Sequence, residues 1–330
     1  MNKIDLDKKM NNRVIGLTII KALNSNFNAD FTGNPRQILD TFVASPYAVK
    51  YCIKKYWESI GEKVFYLKTF KKTSSGKKGE EKIKITPNNL EERFIEMFGD
   101  IKDKSADEIV NNLFNCIDVA CFGHTAPITK KSTNSTGAIQ YGMGLNVFKD
   151  SEVEHMEVLS PFQNQNKEGS EQSTMGSRSV LSEGHYVYDF VITPWVYDQL
   201  SYVDNFNGFT RRHYELFKEA SLEGVTNYNS VAKKDCYNEL GLFIELKEGS
   251  KKVINTALNN LVDIYNEEDI TVIDLSRLKE ALLKIEDDIE SIEIYYNDIT
   301  TKVIGLSADD FKNFTTDNII KTKEINFEEF

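Results

Sequence analysis

The stretch "NRVIGLTIIKAL", residues 12–23, constrains the fold more than any other part of the chain. It is mostly apolar and rich in β-branched side chains, which predicts a buried strand. The next stretch, "NSNFNADFTGNPRQI" (24–38), is dense in Asn, Asp, Gly and Pro and predicts a loop. The first predicted feature is therefore a core strand that leads into a polar loop.

Helical and hairpin signals follow this loop. "SPYAVKYCIKKYWESIG" (45–61) predicts a helix, because Ser45 suits an N-cap, Pro46 suits the first turn and Gly61 ends the pattern. "KVFYLKTF" (63–70) and "EKIKIT" (81–86) flank a Ser/Gly turn and predict a lysine-rich hairpin. Two capped helices are expected within 86–100 and 105–118, and "VACFGHTAP" (119–127) is expected to be a turn.

The second half of the chain continues with both element types. Strands are predicted in 136–148, where glycines interrupt the pattern, in 184–194, and in 239–249, where leucine and isoleucine alternate with other residues. A helix is predicted over 210–222, and residues 269–298 predict strand, helix and strand. Because strands and helices do not alternate regularly, the pattern favours an α+β fold over a doubly wound sheet.

Composition narrows the class of protein. The 330 residues are 40% hydrophobic and 11% aromatic, enough for a sizeable core. No apolar run approaches a membrane span and the first residues lack a signal-peptide pattern, so we expect a cytoplasmic protein without a membrane partner. Four irregularly spaced cysteines are expected to be buried free thiols.

Charge is distributed unevenly along the chain. The net charge is −11, yet residues 1–84 carry 17 basic and 8 acidic side chains, whereas residues 237–330 carry 10 and 21. A local basic face attracts phosphates despite an acidic total, because salt screens distant charges. Charge alone leaves nucleic-acid binding and a merely solvated lysine-rich surface about equally supported.

Motifs of catalysis are not recognised in the sequence. The four histidines lack metal-ligand spacing, and no phosphate-binding glycine loop or nucleophile elbow occurs, so no catalytic residue, metal or cofactor is predicted.

The sequence signal for nucleic-acid binding is a helix on which lysines accompany aromatic residues: Lys50, Lys54 and Lys55 with Tyr51, Tyr56 and Trp57. Cationic grooves with stacking aromatics hold single-stranded nucleic acid. In the alternative interpretation, Tyr56 and Trp57 belong to the core.

A second long polar segment is "QNQNKEGSEQSTMGSR", residues 163–178. Its single large apolar side chain is Met175, and Arg178 follows closely. Loops of this length are usually functional or disordered. By itself the segment predicts a long polar loop with a function.

The order of these motifs resembles a known family. "NFNADFTGNPRQ", the Ser-Pro helix, "DVACFGH", "TGAIQYGMG", "STMGSRS" and "GHYVYDFVITP" follow one another over roughly residues 12–300. This order is similar to the repeating crRNA-binding backbone subunit of type I CRISPR Cascade, in the RAMP superfamily, with type I-B as the closest branch. The resemblance implies one RRM-like (ferredoxin-type) domain over 1–330, a palm with helical fingers inserted at about 63–115 and a thumb loop at about 160–180.

The resemblance also implies partners and sites. The partners would be CRISPR RNA, the target DNA strand paired to it, neighbouring copies of this chain and other Cascade subunits. Met175 would act as a wedge that displaces a nucleotide, and Arg178 would hold the adjacent phosphate. The implied RNA contacts are Asn24, Asn26, Asn28, Arg36, Lys50, Lys54, Lys55, Phe122, Gly123, His124, Gln140, Ser173, Thr174, Met175 and Arg178.

The chain departs from the family pattern in several places. Lysines stand where the family often has arginine, Ala120 and Cys121 precede Phe122, and the C-terminal third is acidic. That third could face away from RNA or pair with the basic face of the next copy. Two other functions stay open: a metal-dependent endoribonuclease using Asp30, with Asp40 expected in a helix, and a protein-interaction module without nucleic acid.

Overall fold

The predicted opening strand is β1, Val14–Ser25, and its first seven residues are all buried. The computed structural model describes residues 5–75, 82–126, 133–159, 175–311 and 319–322. Val14, Leu17 and Ile19 are fully buried on this strand, which explains why a β-branched apolar run forms the centre of a sheet.

The further strands are β2 Gln37–Ile38, β3 Thr41–Ala44, β4 Phe70–Ser75, β5 Lys82–Pro87, β6 Gly123–Ala126, β7 Thr133–Thr136, β8 Ile139–Tyr141, β9 Gly144–Asn146, β10 Val153–Leu159, β11 Met175–Ile192, β12 Cys236–Leu246, β13 Asp263–Glu267, β14 Ile270–Asp274, β15 Ile289–Tyr296, β16 Thr301–Ile304 and β17 Ile319–Thr322. The α-helices are α1 Pro46–Ser59, α2 Leu90–Phe98, α3 Ala106–Phe114, α4 Ile117–Phe122, α5 Arg211–Glu223 and α6 Ser276–Leu283.

Ten strands form one large sheet, in the order β17-β15-β12-β1-β11-β9-β3-β2, with β8 and β10 also paired to β11. The pairs β1–β12, β12–β15, β9–β11 and β3–β9 are antiparallel, and β15–β17 is parallel. A smaller sheet has the order β13-β14-β16, and β4–β5 and β6–β7 are two-stranded. The large antiparallel sheet, with helices that do not alternate regularly with its strands, confirms the predicted α+β class.

The chain divides into two compact units. One consists of residues 1–13, 53–140 and 191–220, and the other of residues 14–52, 141–190 and 221–330. Within the first unit, α2 and α3 begin with capping boxes at Asn89 and Ser105, as the sequence signals predicted. No helix among the described residues is both long and apolar enough to cross a membrane.

The prediction of a turn at 119–127 was wrong. Residues up to Phe122 form α4, and Gly123 begins β6. The helix lacks a side-chain cap but is buried from Ile117 to Cys121. The carboxylate of Asp118 also accepts hydrogen bonds from the main-chain N–H groups of Phe65 and Tyr66, each at 2.8 Å. Tertiary contacts therefore stabilise a helix that local sequence signals do not indicate.

The prediction of a loop over 163–178 was wrong at its C-terminal end. Residues 175–178 belong to β11 and pair with β10, and the register pairs Met175 with Leu159 and Arg178 with Met156. The rest of the segment, including Ser173 and Thr174, lies outside the described residues. Strand pairing overrides a polar sequence here, because β10 offers its backbone groups as partners.

Two smaller predictions also needed correction. The first hairpin strand begins at Phe70 rather than at residue 63. Asp40 lies in the turn between β2 and β3, not in a helix. A separate observation concerns β12, where all residues from Glu239 to Leu246 are buried, including Gly241 and Phe243 between the alternating leucines and isoleucines. A strand enclosed between β1 and β15 in the middle of a sheet has both faces covered.

Candidate nucleic-acid interface

The loop after β1, residues 26–36 (the β1–β2 loop), is organised by one carboxylate. Oδ1 of Asp30 accepts hydrogen bonds from the N–H of Thr32 (2.8 Å), the hydroxyl of Thr32 (2.7 Å) and the N–H of Asn34 (3.1 Å). The hydrogen bond from the Thr32 side chain contributes most to lowering the pKa of the Asp30 carboxyl. Asp30 is thus an ionised acceptor that closes the loop on itself.

Asparagine side chains form hydrogen bonds within the loop and between the loop and neighbouring elements. The buried Asn26 amide donates to the carbonyls of Gly33 (3.0 Å) and Ser179 (3.2 Å). The Ser179 hydroxyl in turn donates to Oδ1 of Asn34 (2.6 Å), which ties the loop to β11. Oδ1 of Asn28 accepts the N–H of Ser45 (2.7 Å), immediately before α1. These side chains therefore serve first to hold the loop in one shape.

The remaining predicted loop contacts differ in exposure. The guanidinium of Arg36 donates to the carbonyl of Ala29 (3.1 Å), while its buried Nε has no hydrogen-bond partner in the described part of the chain. Asn24 is exposed at the end of β1 with φ of 45°. Arg36 thus spans the loop and keeps an unsatisfied donor, and Asn24 has an accessible amide.

Two aromatic residues beside this loop were missed by sequence reasoning. Phe31, at the tip of the loop, is 99% exposed, and Tyr47, in the first turn of α1, is 82% exposed. Their positions in the sequence could have indicated exposure, because Phe31 stands within an Asn/Asp/Gly-rich loop and Tyr47 directly follows the proline that begins a helix. Exposed rings on an ordered support are suited to stacking against bases.

The lysines of α1 have different environments. Lys50 is half-buried. Nζ of Lys54 donates to the carbonyl of Tyr66 (3.0 Å), and burial lowers the pKa of Lys54 against the opposing effect of the Asp118 carboxylate. Lys55 forms an ion pair with Glu58 at 2.5 Å. Lys54 is therefore engaged within its own unit.

Two of the three predicted aromatic residues on α1, Tyr56 and Trp57, are engaged within the protein. Trp57 is fully buried and its Nε1 donates to the carbonyl of Leu216 (2.9 Å). The hydroxyl of Tyr56 donates to a carboxylate oxygen of Glu219 (2.7 Å). Tyr51 is exposed in part and meets the ring of Tyr228 edge-on at 5.4 Å. The alternative interpretation, that Trp57 belongs to the core, is correct.

The segment Phe122–His124 is enclosed by protein. The ring of Phe122 lies 5.5 Å from that of Trp57. Gly123 has φ of +78°, and a Cβ there would lie 2.3 Å from the carbonyl oxygen of Ser135. His124 is 6% exposed, its Nε2 lies 2.8 Å from the Thr133 hydroxyl, and burial lowers its pKa to about 4. His124 is consequently neutral at pH 7.

The other predicted contacts lie elsewhere. The Gln140 amide donates to the carbonyl of Gly137 (2.9 Å) at an exposed position. The guanidinium of Arg178 donates to the carbonyl of Val231 (2.5 Å). The structure thus brings Asn26, Asn28 and Arg36 together in one ordered loop. Within the first unit, Lys54 is half-buried and bonded to a carbonyl, and His124 is buried.

Comparison with known proteins identifies the family. The model of the family described as CRISPR-associated protein Cas7 matches residues 12–295. The chain belongs to the Cas7 family. The predicted relation to the CRISPR backbone subunits is therefore confirmed, and its assignment to type I-B stays a prediction.

Solved structures and curated proteins were compared as well. A chain of a structure described as "CRISPR RNA-guided surveillance complex, pre-nicking" is 15% identical with a TM-score of 0.48, covering 89% of this chain and 95% of that one. A chain of a second "CRISPR RNA-guided surveillance complex" is 12% identical with a TM-score of 0.40, covering 88% and 95%. The comparison with curated proteins gave no match.

Proposed function

We propose that this Cas7 chain is a non-catalytic backbone subunit that binds CRISPR RNA. In this proposal several copies polymerise along the guide within a surveillance complex, together with other Cascade subunits, and support pairing of the guide with target DNA. The large sheet corresponds to an RRM-like palm, the hairpin with α2 and α3 to the fingers, and residues 160–180 to the thumb. A type I-B complex is the proposed setting.

One observation carries the RNA-binding proposal: the hydrogen-bonded β1–β2 loop supports an almost completely exposed Phe31. An apolar ring at 99% exposure gains nothing for folding, whereas a loop ordered by Asp30 and Asn26 keeps the ring in place before any ligand binds. Stacking on such a ring tolerates any base, as a subunit that coats different guides requires.

Fluorescence anisotropy with a labelled single-stranded RNA tests this proposal. Removing the stacking ring in Phe31→Ala should weaken binding by about 1–3 kcal/mol, or roughly 5- to 150-fold. Tyr202→Ala removes an exposed aromatic ring in the first unit, whereas Phe31 lies in the second; it is the matched control and should bind like the wild type. Equal affinities of Phe31→Ala and Tyr202→Ala would remove the main support for the β1–β2 loop as an RNA contact.

The salt dependence of the same binding curve tests the phosphate contact. Each phosphate neutralised on a single strand contributes a slope of about −0.7 in log K against log salt. Lys50→Ala should flatten the slope by about that amount. Lys252→Ala, an exposed lysine in the C-terminal third, should leave it unchanged. If Lys50→Ala retained the full slope, Lys50 would not contact phosphate.

The endoribonuclease alternative depends on Asp30 as a metal ligand. Its Oδ1 already accepts three hydrogen bonds within the loop. Among the described residues, no group of three or more His, Cys, Asp or Glu side chains is placed to hold a metal ion. Metal-dependent cleavage of bound target RNA that disappears in Asp30→Ala would establish the nuclease and contradict a scaffold-only role.

The third possibility is an interaction module without nucleic acid. Coexpression with a CRISPR array followed by purification distinguishes it cheaply, since bound RNA raises the ratio of absorbance at 260 to that at 280 nm. A spectrum of protein alone, with anisotropy showing no RNA binding, would favour the interaction module.

A further inference from the structure

His155 is the exposed histidine of this chain, and it is attached to the second unit beside the β1–β2 loop. The other three histidines are buried or half-buried. His155 lies on β10 directly opposite the buried Ser179 of β11, and its Nδ1 is 2.9 Å from the Ser179 hydroxyl oxygen. The carbonyl of the same serine accepts a hydrogen bond from Asn26, which begins the loop. The imidazole is therefore bonded at the point where the loop meets β11.

A chain of hydrogen bonds joins His155 to the carboxylate of Asp30. The Thr32 hydroxyl donates to Oδ1 of Asp30 (2.7 Å) and accepts from Nδ2 of Asn34 (3.0 Å). Oδ1 of Asn34 accepts from the Ser179 hydroxyl (2.6 Å), whose oxygen in turn contacts Nδ1 of His155 (2.9 Å). Each distance lies in the usual range for a hydrogen bond. The loop and the exposed histidine thus belong to one network.

The carboxylate at one end determines the direction of every hydrogen bond in this network. An ionised carboxylate only accepts, so the Thr32 hydroxyl gives its proton to Asp30 and accepts from the amide of Asn34. With its NH2 group engaged there, Asn34 presents its oxygen to Ser179 and takes the single hydroxyl proton. The Ser179 oxygen must then accept from His155, which fixes the ring proton on Nδ1.

This tautomer makes Nε2 of the neutral ring a hydrogen-bond acceptor. Nε2 lies across the ring from the bond to Ser179, and the side chain of His155 is exposed, so a ligand on the loop can reach the nitrogen. The ring is also oriented before any ligand binds, because the network holds Nδ1.

The chemistry of an RNA backbone narrows what such an acceptor can bind. A contact that tolerates any base sequence must use groups that every nucleotide carries. Phosphate oxygens and the ribose ring oxygen only accept hydrogen bonds, whereas the 2′-hydroxyl donates as well as accepts. An acceptor nitrogen is therefore complementary to the 2′-hydroxyl and not to the phosphate.

We propose that Nε2 of His155 accepts a hydrogen bond from a ribose 2′-hydroxyl and makes the β1–β2 loop selective for strands that carry this donor. The inference rests on the RNA-binding function proposed above. It adds a property that stacking on Phe31 does not provide, because every base has a π-face, whether its sugar is ribose or deoxyribose. The 2′-hydroxyl distinguishes RNA from DNA and is the same in every guide sequence.

Comparison of an RNA strand with its 2′-fluoro analogue tests this contact, because the analogue lacks the 2′ proton at each sugar. Fluorescence anisotropy is measured at about pH 8, above the ordinary histidine pKa of about 6.5. The wild type should bind RNA at least threefold more tightly than the 2′-fluoro strand of the same sequence. In His155→Phe, which keeps a ring without nitrogens, this preference should fall at least threefold, as expected for one hydrogen bond.

Two further variants separate the contact from the network and from stacking. Ser179→Ala removes the acceptor that orients His155 and should also reduce the preference for RNA over the 2′-fluoro strand. Phe31→Ala removes stacking, so it should weaken binding of both strands equally and leave the preference unchanged. Because His155 is exposed, the thermal unfolding midpoint of His155→Phe should match that of the wild type.

The outcomes distinguish this inference from the function on which it rests. If the wild type binds neither strand, RNA binding is contradicted and the role of His155 with it. If the wild type binds both strands equally, or His155→Phe keeps the full preference for RNA, the role of His155 alone is overturned. An unchanged preference in folded Ser179→Ala would contradict the positioning of the ring by the network.

Discussion

The β1–β2 loop and the segment Phe122–His124 were both predicted to contact RNA, yet they are built in opposite ways. In the loop, polar side chains bond to one another and an aromatic ring, Phe31, is left exposed. In the segment, the polar His124 is buried and Phe122 packs against Trp57. A glycine next to an aromatic residue therefore does not by itself indicate a ligand site. What distinguishes the two is whether the main chain is surrounded by protein.

The largest contrast is expected between the glycines of the two regions. Both Gly123 and Gly33 have positive φ, but a Cβ would clash with main chain at Gly123 and meets nothing within 4 Å at Gly33. Gly123→Ala should lower the free energy of unfolding by about 3–5 kcal/mol, because the new Cβ both overpacks the site and occupies a left-handed backbone position. Gly33→Ala should lower it by only about 1–2 kcal/mol, because only the backbone strain applies there. Urea unfolding measures both. Equal losses would mean that the Phe122–His124 segment is not packed as described.

Acidification should affect the buried histidines next. Burial lowers the pKa of His124 and of His213 to about 4, below the ordinary 6.5. The unfolded chain therefore binds protons between pH 6.5 and 4 that the folded chain does not, and stability falls as the pH drops through this window. Each histidine contributes at most about 3 kcal/mol to this loss of unfolding free energy.

The control for this pH effect is His124→Asn, whose unfolding free energy should depend less steeply on pH between 6.5 and 4. His185, with its raised pKa, acts in the opposite direction, because its stabilising contribution is present at low pH and is lost as the pH rises through its folded pKa. An unchanged slope in His124→Asn would mean that His124 titrates normally.

The aromatic rings of the two regions should differ more modestly. Phe122→Ala removes a half-buried ring that contacts Trp57 and Phe217 and should cost about 2–3 kcal/mol. Phe31→Ala should change stability by no more than about 0.5 kcal/mol, because the ring is exposed. Thermal unfolding of both variants beside the wild type checks this, and a large loss in Phe31→Ala would indicate that the ring packs.

The smallest effect is expected from loosening the loop itself. Asp30→Ala removes the acceptor for the N–H groups of Thr32 and Asn34. Hydrogen exchange at these two amides should accelerate about fivefold, consistent with a loss of about 1 kcal/mol of local protection. The exchange rates in β1 should not change. Unaltered exchange at Thr32 would show that Asp30 does not order the loop.

Local chemistry determined much of this protein from sequence. The apolar β-branched run predicted β1, the Ser-Pro start predicted α1, the capping residues Asn89 and Ser105 predicted two helices, and the order of motifs identified the family. Each of these signals lies within a few residues, or in an order along the chain, and needs no knowledge of what packs against it.

Tertiary structure decided the remainder. Helix α4 forms because its residues are buried and Asp118 accepts two main-chain N–H groups from 52 or 53 positions away. Arg178 lies in a strand because β10 pairs with it, and Lys54 is engaged by a carbonyl that no local pattern places beside it. Burial and hydrogen bonding depend on residues distant in sequence, so exposure of Phe31 and enclosure of His124 are read only from the folded chain.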